Sequence, residues 1–243
     1  IEDQASEAAL LIRSIVAEEM LHAALAANLL LAVGGRPRFD TTALIPTYPG
    51  LLPHHIPPLE VGLVRASPDV IRDVFMRIEQ PEVHGAPAEP DLFESLGQFY
   101  HALEIAIDEL CERLDLFGNP QADRQVSDPA FYAPVAYDAE DSGGLMLVDS
   151  AESAHTAIEI IVHQGEGLST ERWADPAHQE LTHYFKLLQI SDGTSPLGVV
   201  RAVRSNPRTA DFPQRLQVVS QLFNATYRHL FFVLAEMFGP VDD

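Results

Sequence analysis

The sequence predicts an all-α chain, a single helical domain carrying long irregular loops. Three observations carry that prediction. Five segments of the 243-residue chain repeat apolar residues at offsets of three and four, the period of a helix face. No segment sustains the period-two alternation of a half-buried strand. The connections are long and rich in proline and glycine, as expected of functional loops or of loops that cover another surface.

The first helix is expected from about Glu2 to Val33, stopped by Gly34-Gly35 with Pro37 just beyond. Its stripe is Ala8, Ile12, Ile15, Glu19, His22, Ala26 and Leu29. From Arg36 to Pro68 the pattern reads as loop, within which Leu59 to Val64 can form a short extended piece. The second helix, about Asp91 to Leu114, follows Pro90 and carries Phe93, Leu96, Tyr100, Leu103, Ile107 and Leu110. A second loop, Asp115 to Val148, has few periodic apolar residues. The third helix runs from near Ser150 to Glu166, with Asp149 and Glu152 as a capping box and Gly165 and Gly167 at its end. The fourth starts at Asp175-Pro176, an N-cap with proline at the first helical position, and ends near Gly193. The fifth spans about Pro213 to Phe238. Even composition and the lack of repeats favour one domain over residues 1–243.

A net charge of −21 and a pI near 4.6 argue against nucleic-acid and anionic-membrane partners, which select for Lys and Arg. No run reaches the ~18 uninterrupted apolar residues of a membrane span. The acidic start, Ile1-Glu2-Asp3-Gln4, lacks signal-peptide character. A lone cysteine, Cys111, fits a reducing cytoplasm and excludes a thiolate metal site.

Chemistry concentrates on the helices. Glu19 and His22 form a Glu-x-x-His pair on the apolar face of the first helix, where they can share a metal ion. Glu18 lies about 100° around the helix, so a salt bridge or a solvated edge is its expected fate. A second Glu-x-x-His, Glu180 and His183, lies on the fourth helix. Two such pairs on separate helices are the arrangement of carboxylate-bridged dinuclear sites, which need two further glutamates. Glu104, on the inward side with Tyr100, is one candidate. Along the third helix His155, Glu159, His163 and Glu166 make a polar edge. His155 and Glu159 read as exposed, whereas in "IIVHQGEG" the flanking glycines allow close approach around Glu166, with His163 beside it. Carboxylate and imidazole ligands suit iron or manganese, and ligand type alone leaves zinc open. His54-His55, in a proline-rich loop, can line a pocket mouth or stand solvated, the second being favoured, and Cys111 reads as a buried, inert thiol.

In order along the chain stand "RSIVAEEMLHAALAANLLLAVGGRP", "YPG", "LEVGL", "FMRIEQPE", "GQFYHALEIAI", "IVHQGEG", "ELTHYFKLLQI" and "FNATYRHLFFVL". Together they resemble the ferritin-like domain of the iminophenylpyruvate dimer synthase type, found in violacein-, rebeccamycin- and staurosporine-type biosynthesis. The resemblance implies a ferritin-like helical bundle with an additional C-terminal helix and a mono- or dinuclear non-haem iron centre. It also implies oxidative chemistry of specialised metabolism on a small organic substrate, with a pathway enzyme as partner. It carries metal-ligand roles onto Glu19, His22, Glu104, Glu166 and His183. Family members have an earlier helix whose glutamate completes the site, expected here upstream of residue 1, and carry glutamate where His163 stands. The alternatives are an iron-binding bundle without catalysis, and a metal-free assembly module. The oligomeric state is not legible.

Overall fold

Ser6 opens the longest helix, its hydroxyl accepting from the Ala9 amide at 3.4 Å. In the computed structural model, which describes residues 1–3, 6–41, 45–80, 92–132, 143–165 and 182–239, this helix is α1, Glu7–Ala32. It ends where expected: Gly34 takes a left-handed φ of 80° and returns its amide to the Leu31 carbonyl. At about 1.5 Å per residue α1 is roughly 39 Å long. It is the one described helix long and apolar enough to span a membrane, but half of that window is buried inside the protein.

The two larger buried clusters take opposite halves of α1. Its N-terminal half, through Ala8 and Leu11, packs with Ile71, Met76, Leu187 and Ile190. Its C-terminal half, through Leu21, Leu25 and Leu29, packs with Ile107, Ala154, Ile158 and Ile161. Glu18, Glu19 and His22 fall at the junction of the two.

Apart from Leu197, the buried partners of α1 in the first core come from two elements. One is α2 (residues 68–78), which has α geometry over Pro68–Val70, π geometry over Ile71–Phe75 and α geometry again over Met76–Ile78. Its two buried side chains, Ile71 and Met76, stand five apart, so the π turn hides it from a search at period 3.6. The other is the helix His183–Asp192, α5, ended by Gly193 at a φ of 87°. The expected start of this helix at Asp175 lies outside the described residues.

The second core takes α3, Leu96–Cys111, and α4, Ala151–Gly165. Helix α3 starts later than the pattern suggested. Phe93 exchanges backbone hydrogen bonds with His54 and Ile56, and Ser95 then caps the helix. Helix α4 is opened by Ser150 and Ser153, each hydroxyl accepting from the other's amide, one position on from the Asp149/Glu152 box read from the sequence. The extended piece foreseen near Leu59 is real but short: β2, Glu60–Val61, pairs antiparallel with β1, Gly50–Leu51.

The long connection before α4 is held by buried amides rather than by apolar periodicity. Asn28 on α1 is fully buried; its Nδ2 donates to the Val126 and Met146 carbonyls and its Oδ1 accepts from the Val126 amide. Gln125 repeats the device, donating to Val148 O and accepting from Val148 N. Asn28→Ala strands several buried backbone groups and is expected to lower stability by about 2–4 kcal/mol, measured by urea denaturation.

The last helix, α6, Gln214–Met237, has no buried residue. Its C-terminal end is anchored by Phe238 against Ala27 and Leu31, and by Arg124 Nη2 donating to the Phe238 carbonyl at 2.8 Å.

Candidate metal centre

Glu19 and His22, three apart on α1, share a face as their spacing requires. His183, the first residue of α5, meets them from the other side of the junction, its ring centroid 5.3 Å from that of His22. One potential ligand atom from each of Glu19, His22 and His183 lies within 4.8 Å of the other two. His183 is fully buried, and His22 nearly so. Glu19 is half exposed because its carboxylate faces a cavity.

A fourth group joins them that periodicity did not reveal. Glu79 follows α2 directly, its amide bonded to the Phe75 carbonyl, and is only 8% exposed. Its Oε2 stands 3.6 Å from His183 Nδ1. Both atoms are buried without a hydrogen-bond partner in the described structure. His183 Nδ1 is also 3.1 Å from Glu19 Oε1, close but not aligned as a hydrogen bond. Two orphaned atoms of this kind cost about 1–3 kcal/mol each when buried. A cation between them removes that penalty, so the residues fit a metal ion.

Each imidazole is oriented from behind. His183 Nε2 donates to Glu18 Oε2 at 2.9 Å, and His22 Nε2 donates to Gln164 Oε1 at 2.9 Å. Both Nε2 atoms are thereby engaged, leaving both Nδ1 atoms facing Glu19, as in the carboxylate–histidine–metal arrangement. Glu18 realises the salt-bridge outcome read from its helix position: Lys186 Nζ, one turn after His183, contacts both of its oxygens at 2.8 and 2.5 Å.

The electrostatics follow from the crowding. Burial alone would pull His183 down, but its contacts with Glu18, Glu19 and Glu79 raise it to about 10. His22 is lowered, burial outweighing the pull of Glu19. Burial pushes Glu18 and Glu19 up, yet His183 and their other cationic or imidazole neighbours bring both below the usual carboxylate range. Before metal enters, protonated His183 and Lys186 are the described cations among these three carboxylates.

Glu19, His22, Glu79, Tyr100 and Leu96 line a cavity of about 260 Å³ whose other walls include Ile161 and Val162. Burial, with the charge of Glu19 second, pushes the Tyr100 phenol up to about 12. Leu96 also borders a larger apolar cavity of about 460 Å³, walled by His54, His55, Phe93 and Phe99. The loop histidines read as solvated thus stand at a pocket wall, with His55 Nδ1 2.7 Å from the Pro57 carbonyl.

The remaining sequence candidates are placed elsewhere. Glu104 is engaged by His155 Nδ1 at 3.3 Å and lies 3.7 Å from His101; it is outside the three-ligand group, because its turn of α3 faces the start of α4. His155 is therefore not a free exposed edge: its Nε2 meets Asp108 at 2.8 Å, and that bond, with Glu104 in support, raises its pKa. Glu159 is exposed and His163 half-buried on α4, and neither belongs to the three-ligand group. Glu166 and Glu180 lie outside the described residues. Sequence reasoning missed Glu79, Gln164 and Lys186. Only the last carried a positional signal, its i+3 offset from His183.

Residues 1–192 match the sequence model of the family described as Ferritin-like. Comparison with curated proteins gives no match. Among solved structures, a ferritin-like protein from Caulobacter vibrioides superposes with a TM-score of 0.65 at 22% identity, over 98% of this chain and 77% of that one. At that identity the likeness concerns the fold alone. The family match spans α1 to α5, the elements that build the site, and leaves α6 outside it. This chain belongs to the ferritin-like family.

Proposed function

We propose that the chain is a metal-dependent oxidoreductase with a non-haem iron centre that acts on a small organic substrate. The observation that carries the reading is the convergence of two oriented imidazoles and two carboxylates beside an apolar cavity. Glu19, His22, Glu79 and His183 would hold the ion, a ligand set that suits iron and also accepts manganese or zinc. Iron in such a set supplies redox chemistry with dioxygen or peroxide.

The chain's own groups do the rest. Leu96, Ile161 and Val162 give the cavity apolar walls that disfavour water beside the carboxylates. The Tyr100 hydroxyl holds its proton at neutral pH and offers a hydrogen bond to a substrate heteroatom. The 460 Å³ cavity across Leu96 is large enough for the body of a small organic substrate. An amino-acid-derived imine, as the resemblance implies, is the substrate class to try first. A pathway enzyme in the same cytoplasm would deliver so unstable a compound.

The test has two stages. Metal analysis of the purified protein after anaerobic reconstitution is expected to find iron retained through gel filtration. Dioxygen consumption with aromatic amino-acid imines is then expected only in the iron-loaded protein. Retained iron without turnover on any imine supports the iron-binding alternative, and no retained metal supports the assembly module.

A further inference from the structure

We propose that Lys186 is a positioning residue of the metal centre: its ammonium fixes the Glu18 carboxylate, which in turn holds the His183 ring with Nδ1 toward the ion. This rests on the metal-dependent reading above and adds to it a residue that does not itself hold the ion. Helix α5 buries His183, Lys186, Leu187 and Ile190, one helical face whose apolar members pack into the first core. Lys186 thus stands where that face calls for an apolar side chain, and it is only 3% exposed. It also lies at the end of the first turn of α5, where the helix dipole disfavours a cation. Core pattern and helix electrostatics both argue for another residue here, so the lysine answers to its partner.

That partner is Glu18. The ammonium lies 2.8 and 2.5 Å from its two oxygens, and Oε2 also accepts from His183 Nε2 at 2.9 Å. Histidine and lysine, three apart on α5, grip one carboxylate of α1. The carboxylate cannot swing away from the imidazole without breaking contacts to both.

The ring needs such a hold. Thr182, the N-cap of α5, makes no side-chain cap bond, and its Oγ1 is buried without a partner among the described residues. The start of the helix that carries His183 is therefore not fixed by its cap. His22 is held differently, by the neutral amide of Gln164. A neutral backing group needs no counter-ion. A buried carboxylate does, and Lys186 supplies it.

A positive charge near a divalent ion weakens its binding by repulsion, so the sign of the effect separates positioning from mere proximity. Equilibrium dialysis against Co2+, with the visible absorption of the bound ion, reads that sign on the whole chain. Lys186→Met is expected to weaken cobalt binding by about 10- to 100-fold and to change the visible spectrum, as loss of a group behind a metal ligand does. Glu18→Gln/Lys186→Met is expected to return close to the wild type in affinity and spectrum, because an amide can hold His183 as Gln164 holds His22. Urea denaturation of the metal-free proteins checks folding. If methionine is not tolerated, Lys186→Gln, which keeps a donor for Glu18, takes its place with the same direction of loss and the same rescue. Unchanged or tighter binding in the folded single variant would overturn the proposal and leave the metal reading intact. A double variant no better than the single one would do the same, by making Lys186 a packing residue of α5. A wild type that binds no cobalt would overturn the metal reading itself, and the proposal with it.

Discussion

His183→Ala is expected to abolish metal retention and to destabilise the metal-free protein as well. The first effect follows from position: His183 is fully buried and its Nδ1 is the ligand atom shared by Glu19 and Glu79. Its loss is expected to weaken metal binding by at least about 1,000-fold, or about 4 kcal/mol. The second effect follows from charge. Without the imidazolium, Glu19 and Glu79 line one cavity with no cation beside them among the described residues, as when one partner of a buried ion pair is removed, at a cost of about 3–5 kcal/mol. Urea denaturation of metal-free protein and metal analysis after dialysis read the two effects separately. Their pH dependence is fixed in sign. The folded-state pKa of His183, about 10, lies above its ordinary 6.5. Its stabilising contribution is therefore complete below about 6.5 and fades as pH rises through 10. The stability gap between wild type and His183→Ala should narrow over that range.

That ring was legible in the sequence because it stands in a helix-spaced pattern with an apolar surround, as do Glu19 and His22. The helices that present them were legible for the same reason: apolar side chains recur with the helical period wherever a helix lies against the core. Glu79 stands in the quoted segment FMRIEQPE, but periodicity gave it no role. Its helix buries Ile71 and Met76 across a π turn, and a five-residue spacing registers as neither helix nor strand. Gln164 was passed over between two more conspicuous neighbours, His163 and Glu166, because an amide gains its importance only when it faces a buried imidazole. Glu104 shows the opposite failure. Periodicity gives the face a residue occupies on its own helix, but not which element lies opposite, and α4 presents His155 there. The segment before α4 read only as a loop with few periodic apolar residues, because Asn28 and Gln125 hold it through hydrogen bonds to its backbone, which leave no apolar period.

Glu79→Gln separates the metal role of that residue from a merely structural one. The side chain keeps its volume and loses its charge, so the fit beside Gly165, where an added Cβ would lie 3.4 Å from Glu79 Oε2, is preserved. Among the described residues of the metal-free protein, Glu18, Glu19 and Glu79 stand against Lys186 and a protonated His183, one negative charge in excess. Glutamine removes that excess. The metal-free variant is therefore expected to match the wild type within about 1 kcal/mol, unlike His183→Ala. The metal-loaded state changes in the opposite way. One ligand charge is gone and the bound ion is left with a net positive site, so affinity is expected to fall at least about 100-fold, close to 3 kcal/mol. An ion present at about 100 times its dissociation constant stabilises the wild type by about 2.7 kcal/mol. For a chain of this length that raises the melting temperature by roughly 5–10 °C. Glu79→Gln should lose most of that rise while its metal-free melting temperature stays in place. A variant that instead melts early without metal, yet still gains the full rise with it, would make Glu79 a packing residue and leave the ion to Glu19, His22 and His183.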